Sequence, residues 1–245
     1  MNPEEKFLFD LQGYLVLKNV LSEAERAELN AIFDAKLSAM PAGRHAERVS
    51  IWGGPYQNLM DHPKIVPYLL DLIGSKFRLD HDYCIAMNKG DTGGHLHGGE
   101  GHEGDHWYKY RDGVMKNGLT VFTYCLTPAP AGVGGFACIP GTHKSNFLDN
   151  IPREVMRFER PAPYVVQPVV EAGDVIIFTE ALVHGTLPWQ ADFPRRSLLY
   201  KFSPGHSAWR QQYYLAEEYT NLTEQQKRVL APPSVGGRPD VVQTA

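Results

Sequence analysis

The spacing of apolar residues changes near residue 76, and this change restricts the possible folds more than any other feature of the chain. Before it, apolar side chains recur at helical spacing over 29–37 and 65–73. After it, short segments with a period of two are separated by Gly and Pro, which is typical of strands. The candidate strands are 77–87, 119–126, 135–139, 165–170, 174–178 and 197–203. Because no helical pattern separates them, we predict a mainly β protein with N-terminal helices, as a sandwich, jelly roll or barrel.

We predict a single domain over 1–245, because the chain contains neither an internal repeat nor a low-complexity linker. It divides into a helical N-terminal part over about 1–76, a β body over about 77–203 and a C-terminal tail. A capping box at 22–25 marks the start of the first long helix. The tail contains a short capped helix within 222–230.

The composition excludes several classes of protein. The chain has 28 acidic and 24 basic residues and no block of Lys or Arg, so it lacks the charge pattern of a nucleic-acid-binding protein. Three cysteines are too few for a disulfide framework and favour a reduced setting. Neither a signal-peptide pattern nor a run of about 18 apolar residues occurs. We expect a cytoplasmic protein that binds neither nucleic acid nor membranes, while its oligomeric state stays open.

Metal-binding side chains are dense in 93–106, which contains four histidines and three carboxylates. Several glycines in this segment allow sharp turns and leave room for a ligand. No Cys/His zinc pattern is present. The segment is therefore either a metal site or a polar surface loop.

Two further segments carry groups suited to a binding site. The apolar strand within 173–178 leads to His184, whose imidazole can project inward from a strand end. Eleven residues later, Arg195 and Arg196 open the last strand of the β body. A buried arginine requires an anionic partner, and its planar fork matches a carboxylate. Because neighbours on a strand face opposite ways, at most one of the two arginines can serve this role.

The order of five motifs resembles the phytanoyl-CoA dioxygenase family of iron(II)/2-oxoglutarate-dependent oxygenases. The motifs are Gly-Tyr-Leu-Val at 13–16, the His-rich segment, Gly-Gly-Phe…Ile-Pro-Gly-Thr-His-Lys at 134–144, Gly-Asp…Phe…His-Gly-Thr at 173–186, and the arginine eleven residues after the histidine. The resemblance extends from about Phe9 to about Phe202. It implies a double-stranded β-helix, that is, a cupin-like jelly roll, with iron(II) and 2-oxoglutarate as cofactors.

The resemblance also implies a role for individual residues. His184 corresponds to the distal iron ligand, and His97, 87 residues earlier, to the proximal one. Arg195 corresponds to the clamp for the distal carboxylate of 2-oxoglutarate, and it is preferred to Arg196 because Ser197 completes an Arg-x-Ser pair. Thr186 corresponds to a second hydroxyl donor to the cosubstrate.

The sequence departs from the family pattern at the third iron ligand. The family has His-x-Asp or His-x-Glu at the proximal site, whereas His97 is followed by two glycines. Two imidazoles and one carboxylate would leave positions on iron(II) free for cosubstrate and oxygen. Three explanations remain open. The missing ligand is a loop carboxylate, a water or halide, or a further imidazole; the side-chain candidates are Glu100, Glu103, Asp105, His95 and His106.

The activity implied by the resemblance is hydroxylation of an unactivated C–H bond in a small organic molecule, with O2 consumed and succinate and CO2 as coproducts. A halogenase-like enzyme with a two-His iron site is the first alternative, and a catalytically inactive jelly roll that binds a small molecule is the second. A zinc hydrolase that uses His95, His97 and His102 is a rival from another class. This last alternative gives no role to Arg195.

Overall fold

The computed structural model describes residues 1–37, 45–99 and 104–243. The helices lie mainly at the two ends of the chain. They are α1 (Pro3–Gln12), α2 (Glu23–Leu37), α3 (Gly54–Gln57), α4 (Val66–Leu72), α5 (Arg153–Met156) and α6 (Glu224–Leu230). The strands are β1 (Tyr14–Leu17), β2 (His45–Glu47), β3 (Arg78–Met87), β4 (Tyr108–Arg111), β5 (Val114–Asn117), β6 (Thr120–Cys125), β7 (Gly135–Cys138), β8 (Val175–Thr179), β9 (His184–Leu187) and β10 (Arg195–Ser203).

Most of the strands belong to one antiparallel sheet of six strands in the order β1-β8-β6-β10-β3-β2. β7 and β9 form a separate antiparallel pair, and β4 and β5 form a hairpin. The β7–β9 pair packs on the large sheet through Phe136, whose ring centroid lies 4.7 Å from that of Phe178 on β8. The molecule therefore has two β layers with an interior between them.

The alternation of side chains along β10 separates the two faces of the large sheet. Leu198, Tyr200 and Phe202 are buried against the N-terminal helices, in the same cluster as Phe33 of α2. Leu199 faces the other way, into the cluster that contains Phe136. By the same alternation, every second residue from Arg195 to Lys201 faces the interior between the two layers. We call this side the inner face.

The sequence predicts much of this fold. The helix after Ser22 begins with the expected capping box, in which the Glu25 carboxylate accepts hydrogen bonds from the Ser22 backbone N–H and hydroxyl. The C-terminal helix is capped by Thr223. Five of the six candidate strands are present within two residues at each end. These outcomes follow from local patterns, which tertiary packing does not override here.

The N-terminal part, predicted to be helical over about 1–76, contains two strands beside its helices. β1 and β2 lie within residues 1–76, and β1 pairs with β8 along its whole length. The candidate strand at 165–170 is wrong, because Val166 and Val170 form only isolated bridges with Cys138 and Ala129. The sequence patterns did not predict α1, the β4–β5 hairpin or β9; the two hairpin strands and β9 have four residues each.

No helix in residues 1–37, 45–99 or 104–243 has the length and apolar composition needed to cross a bilayer.

Candidate metal and cosubstrate site

His97 and His184 lie side by side, although 87 residues separate them in the chain. Their backbones form a two-hydrogen-bond bridge, in which each N–H donates to the other residue's carbonyl over 2.8 Å. The centroids of the two imidazole rings are 4.5 Å apart. His184 begins β9 and is buried, whereas His97 lies on the loop after β3 and is exposed towards a cavity. The structure therefore brings together both predicted iron ligands.

The loop that carries His97 approaches the chain before His184 very closely. Gly98 has φ +95°, and a Cβ at this position would lie 2.7 Å from the Leu182 carbonyl oxygen and 2.8 Å from that of Glu180. Gly99 has φ +112°. Residues with a side chain rarely adopt these φ values, so position 98 requires glycine for both space and backbone conformation. An aspartate in place of Gly99, where the family has its carboxylate, would be strained.

Hydrogen bonds orient both imidazoles in the same way. His184 Nδ1 donates to the Leu182 carbonyl over 2.7 Å, and His97 Nδ1 donates to the His95 carbonyl over 3.0 Å. The Nε2 atom of each ring is then left with a lone pair for a metal. Burial lowers the pKa of His184 to about 4, although the charge of Glu180 acts in the opposite direction. The low pKa keeps the His184 ring neutral at neutral pH. Neutral imidazoles with free Nε2 atoms are the form that binds a divalent ion.

Arg195 is buried on the inner face of the large sheet and has no carboxylate partner in the described part of the chain. Its relative exposure is 7%, and among the described residues its guanidinium has one hydrogen bond, to the sulfur of Met87, 3.5 Å away. Its Nε atom would lie 3.2 Å from a Cβ at Gly135, so the guanidinium packs against the first residue of β7. An unpaired buried guanidinium is costly, and an anion entering the site would remove that cost. Burial also lowers the pKa of Arg195.

Arg196 points to the opposite side of the sheet. It forms an ion pair of 2.6 Å with Asp34 and a hydrogen bond of 2.9 Å with Asn30, both on α2. Its guanidinium also lies over the ring of Phe33, 5.4 Å from the centroid. Arg196 therefore fastens α2 to the sheet, and Arg195 is the arginine that faces the interior.

The two hydroxyl residues assigned by resemblance lie near these groups. Ser197 shares the inner face with Arg195, and its buried Oγ has no hydrogen-bond partner among residues 1–37, 45–99 and 104–243. Thr186 is half-buried on β9, two residues after His184, and pairs with Phe136 across the β7–β9 ladder. The Ser197 hydroxyl could therefore donate a hydrogen bond to a bound carboxylate.

The structure narrows the candidates for the third iron ligand. Asp105 is occupied elsewhere, because it accepts hydrogen bonds from Ser203 (2.7 Å) and Ser207 (2.9 Å). Glu100 and Glu103 lie outside the described residues, as does His102 of the alternative zinc site. His95 is on the cavity wall, with its ring centroid 6.0 Å from that of His97. In the described ranges, no three His, Cys, Asp or Glu side chains are already arranged to hold a metal ion.

A buried ion pair that the sequence patterns did not predict lies beside His184. Glu180 directly follows β8 and Lys201 lies on β10, and their side chains are 2.5 Å apart between Oε1 and Nζ. Glu180 Oε2 is 3.7 Å from His184 Nε2 and 3.8 Å from His106 Nε2. Burial raises the pKa of Glu180, but the charge of Lys201 and its hydrogen bond outweigh this effect and hold the pKa below its usual range. One signal was available: Lys201 has the same strand parity as Arg195 and so faces the interior.

A cavity of about 820 Å³ opens beside these residues. Its wall combines imidazoles, cationic side chains and apolar groups. The lining residues are His95, Leu96, His97, Gly98, His106, Leu119, Arg153, Met156, Arg157, Glu180, Lys201 and Trp209. The volume is in the range of small-molecule sites.

These groups fit an iron ion and a dicarboxylate together. The two imidazoles offer nitrogen donors suited to iron, and Arg195 with Ser197 offers a buried cation and a free hydroxyl. The β7–β9 ladder connects the two halves: Cys138 pairs with His184, and Gly135, which contacts Arg195, lies three residues away. Three residues of strand span roughly 10 Å, which suits a five-carbon acid that binds metal at one end.

Comparisons with known proteins identify the family of this chain. A model of the phytanoyl-CoA dioxygenase (PhyH) family matches residues 9–197. A comparison with curated proteins found no match.

Several solved structures have the same fold. HygX from Streptomyces hygroscopicus, with nickel and 2-oxoglutarate bound, is 21% identical over 86% of this chain and 90% of its own, with a TM-score of 0.78. SnoN, a non-heme alpha-ketoglutarate-dependent epimerase from nogalamycin biosynthesis, is 18% identical over 100% of this chain and 98% of its own, with a TM-score of 0.68. AviO1 from Streptomyces viridochromogenes Tue57 is 15% identical over 80% and 92%, with a TM-score of 0.62. At these identities the likeness establishes a shared fold.

Proposed function

The chain belongs to the phytanoyl-CoA dioxygenase family, whose members depend on iron(II) and 2-oxoglutarate, and on that premise we propose that it is an oxygenase. The proposed reaction is hydroxylation of an unactivated C–H bond in a small organic molecule, with O2 consumed and succinate and CO2 released. The two β layers are proposed to form the double-stranded β-helix, or jelly roll, of the family. The whole chain, 1–245, is proposed to be a single domain.

The observation that carries the proposal is the buried guanidinium of Arg195, which lacks a carboxylate partner in the described residues. It lies against β7, on the same two-stranded ladder that contains His184. In the proposed site His97 and His184 hold the iron. Arg195 binds the distal carboxylate of 2-oxoglutarate in bidentate fashion, with Ser197 and Thr186 as hydroxyl donors.

When bound, iron and 2-oxoglutarate supply the oxidant that removes a hydrogen atom from the substrate. The protein's own groups determine where this happens. The carbonyls of His95 and Leu182 fix the imidazole orientations, and Arg195 and Ser197 fix one end of the cosubstrate. The apolar wall of the cavity, including Leu96 and Leu119, excludes water from the reacting bond.

An anaerobic titration tests the proposal. Wild-type protein mixed with iron(II) and 2-oxoglutarate should develop the weak visible charge-transfer band of a metal-bound 2-oxo acid, and admission of air should yield succinate. His184→Ala should abolish both signals. Arg196→Ala is the matched control and should retain both, because the Arg196 side chain contacts α2 on the outer side of the sheet. Absence of the band and of succinate in the wild type would favour a protein that only binds small molecules.

Hydroxylation itself is tested on a panel of small organic molecules. A substrate should accelerate succinate formation, and isotopically labelled O2 should place its label in the product. A product that gains no oxygen from O2 would contradict hydroxylation.

A halogenase-like reaction is the second candidate, and the Gly98–Gly99 pair favours it. These residues stand where the family has its loop carboxylate, so a halide can occupy the third ligand position at that point. Chloride should then be required for product formation and should appear in the product. Turnover that is independent of halide would exclude this candidate.

A further inference from the structure

The buried carboxylate of Glu180 faces His184. His184 Nδ1 donates to the Leu182 carbonyl, so Nε2 is the ring nitrogen that remains for a metal. Nε2 lies 3.7 Å from Glu180 Oε2, and both residues are buried. A ring nitrogen and a carboxylate oxygen that face each other at this separation can bind one metal ion together.

Lys201 engages the other oxygen of this carboxylate. Its ammonium lies 2.5 Å from Glu180 Oε1. Glu180 Oε2 is the oxygen that faces His184. A second imidazole, that of His106, lies 3.8 Å from the same Oε2 atom through its Nε2.

The distances suit a shared metal ion. Two donors each about 2.1 Å from one ion lie no more than about 4.2 Å apart, and 3.7 Å falls within this limit. His97, whose ring centroid is 4.5 Å from that of His184, approaches the same region. The donors do not form a closed cage as they stand, so the side chains must close on the ion when it binds.

We propose that Glu180 supplies the carboxylate ligand of the iron site, in place of the loop carboxylate that is missing after His97. The inference rests on the proposed function and deepens it. The ligand set becomes His97, His184 and Glu180, two imidazoles and one carboxylate, with the carboxylate delivered from the end of β8. Lys201 acts as a positioning residue that holds Oε1 and leaves Oε2 for the metal.

The close approach at Gly98 supports this assignment. The loop passes directly over the Glu180 and Leu182 carbonyls, so a side chain there is excluded. In a His-x-Asp enzyme this loop supplies the carboxylate ligand. Here its glycines leave room for the chain segment that carries Glu180. The two glycines and the buried glutamate are then parts of one arrangement.

The experiment measures Mn(II) binding by calorimetry in the presence of 2-oxoglutarate, together with the anaerobic iron(II) charge-transfer band. Glu180→Gln keeps the shape and an acceptor for Lys201 but removes the charge. It should weaken Mn(II) binding by more than roughly 100-fold, which exceeds the usual effect of losing a group that only orients a ligand. Glu100→Gln, Glu103→Gln and Asp105→Asn are matched controls and should bind Mn(II) like the wild type.

Chemical rescue provides a second readout. Glu180→Ala opens space at the metal, so added formate or chloride should restore Mn(II) binding and shift the charge-transfer band, while the wild type should not respond. If Glu180→Ala fails to fold because Lys201 is left buried and unpaired, the double variant Glu180→Ala/Lys201→Met removes both charges and takes its place. Thermal melting confirms that each variant is folded.

The outcomes separate the inference from the function. Normal Mn(II) binding by Glu180→Gln, a loss smaller than roughly 100-fold without rescue, or a loss in Glu100→Gln or Glu103→Gln would each overturn the inference and leave the proposed function standing. Failure of the wild type to bind either Mn(II) or 2-oxoglutarate would overturn both.

Discussion

His97 and His184 are joined by a pair of backbone hydrogen bonds of 2.8 Å, so their imidazoles are held by main chain on both sides. The bridge connects the loop after β3 to the start of β9. The relative position of the two rings therefore depends on how closely these two segments pack.

Substitution of Gly98 tests this dependence. In Gly98→Ala the new Cβ would meet the Leu182 and Glu180 carbonyls at 2.7 and 2.8 Å, and φ +95° would be strained. We expect the bridge to open and iron(II) affinity to fall by roughly tenfold or more, as for the loss of an orienting group. Gly94→Ala is the control, because nothing lies within 4 Å of its added Cβ. Equal metal affinity in the two variants, measured by calorimetry, would contradict the prediction.

Replacement of the two arginines should separate cosubstrate binding from stability. Arg195→Ala removes the proposed partner of the distal carboxylate, and charged hydrogen bonds of this kind contribute about 1.5–3 kcal/mol each. The KM for 2-oxoglutarate should rise at least roughly tenfold, at 1.4 kcal/mol per factor of ten. Arg196→Ala should leave KM unchanged and cost at most about 1 kcal/mol of stability, because its ion pair with Asp34 is partly exposed. Reversal of these effects would move the clamp to Arg196.

Replacement of Ser197, whose hydroxyl is unpaired among the described residues, should affect stability and cosubstrate affinity differently. Ser197→Ala removes a buried hydroxyl that has no partner in the described part of the protein, so the free energy of unfolding should stay equal or increase. At the same time the affinity for 2-oxoglutarate should fall, because a donor to the cosubstrate is lost. Denaturant unfolding and a cosubstrate titration measure the two quantities.

Ser203→Ala is the control for this pair of measurements. Ser203 donates hydrogen bonds to Asp80 and Asp105, so its loss should destabilise the protein and leave the affinity for 2-oxoglutarate unchanged. A destabilised Ser197→Ala variant with normal affinity would show that Ser197 has only a structural role.

His143 should make the protein less stable in acid. Burial lowers its pKa to about 4, and Nε2 donates a hydrogen bond of 3.0 Å to the Asp10 carbonyl. The pKa in the unfolded chain is near 6.5, so the unfolded state binds a proton first as pH falls. The contribution of neutral His143 to stability is complete above about pH 6.5 and is lost progressively towards pH 4, at up to about 1.4 kcal/mol per pH unit.

Urea unfolding at several pH values between 4.5 and 7 checks this effect, a range chosen from the unfolded and folded pKa values. His143→Gln should flatten the dependence of stability on pH, whereas His206→Gln, at an exposed histidine, should leave it unchanged. The same slope in His143→Gln as in the wild type would assign the acid sensitivity to other groups.

Local patterns predicted the elements whose formation depends on local physics. The capping boxes at Ser22 and Thr223 are recognisable because each is a motif of four neighbouring residues. The alternation along β3, β6 and β10 is recognisable because it repeats over several strand residues. Short elements escaped prediction, since β9 has four residues and begins at the histidine that the analysis treated as a strand end. The candidate at 165–170 has suitable residues but no continuous partner strand.

The sequence by itself determined the family resemblance, the mainly β architecture and the choice of His97, His184 and Arg195 as candidate site residues, because these depend on residue types, order and spacing. Only the tertiary structure decided which arginine faces the interior, which loop acid is already engaged, and that a buried Glu180–Lys201 pair stands beside His184. These facts arise from side chains that meet across strands far apart in the chain. Contacts of that kind leave no period or motif in the sequence, because each partner alone is compatible with an ordinary surface position.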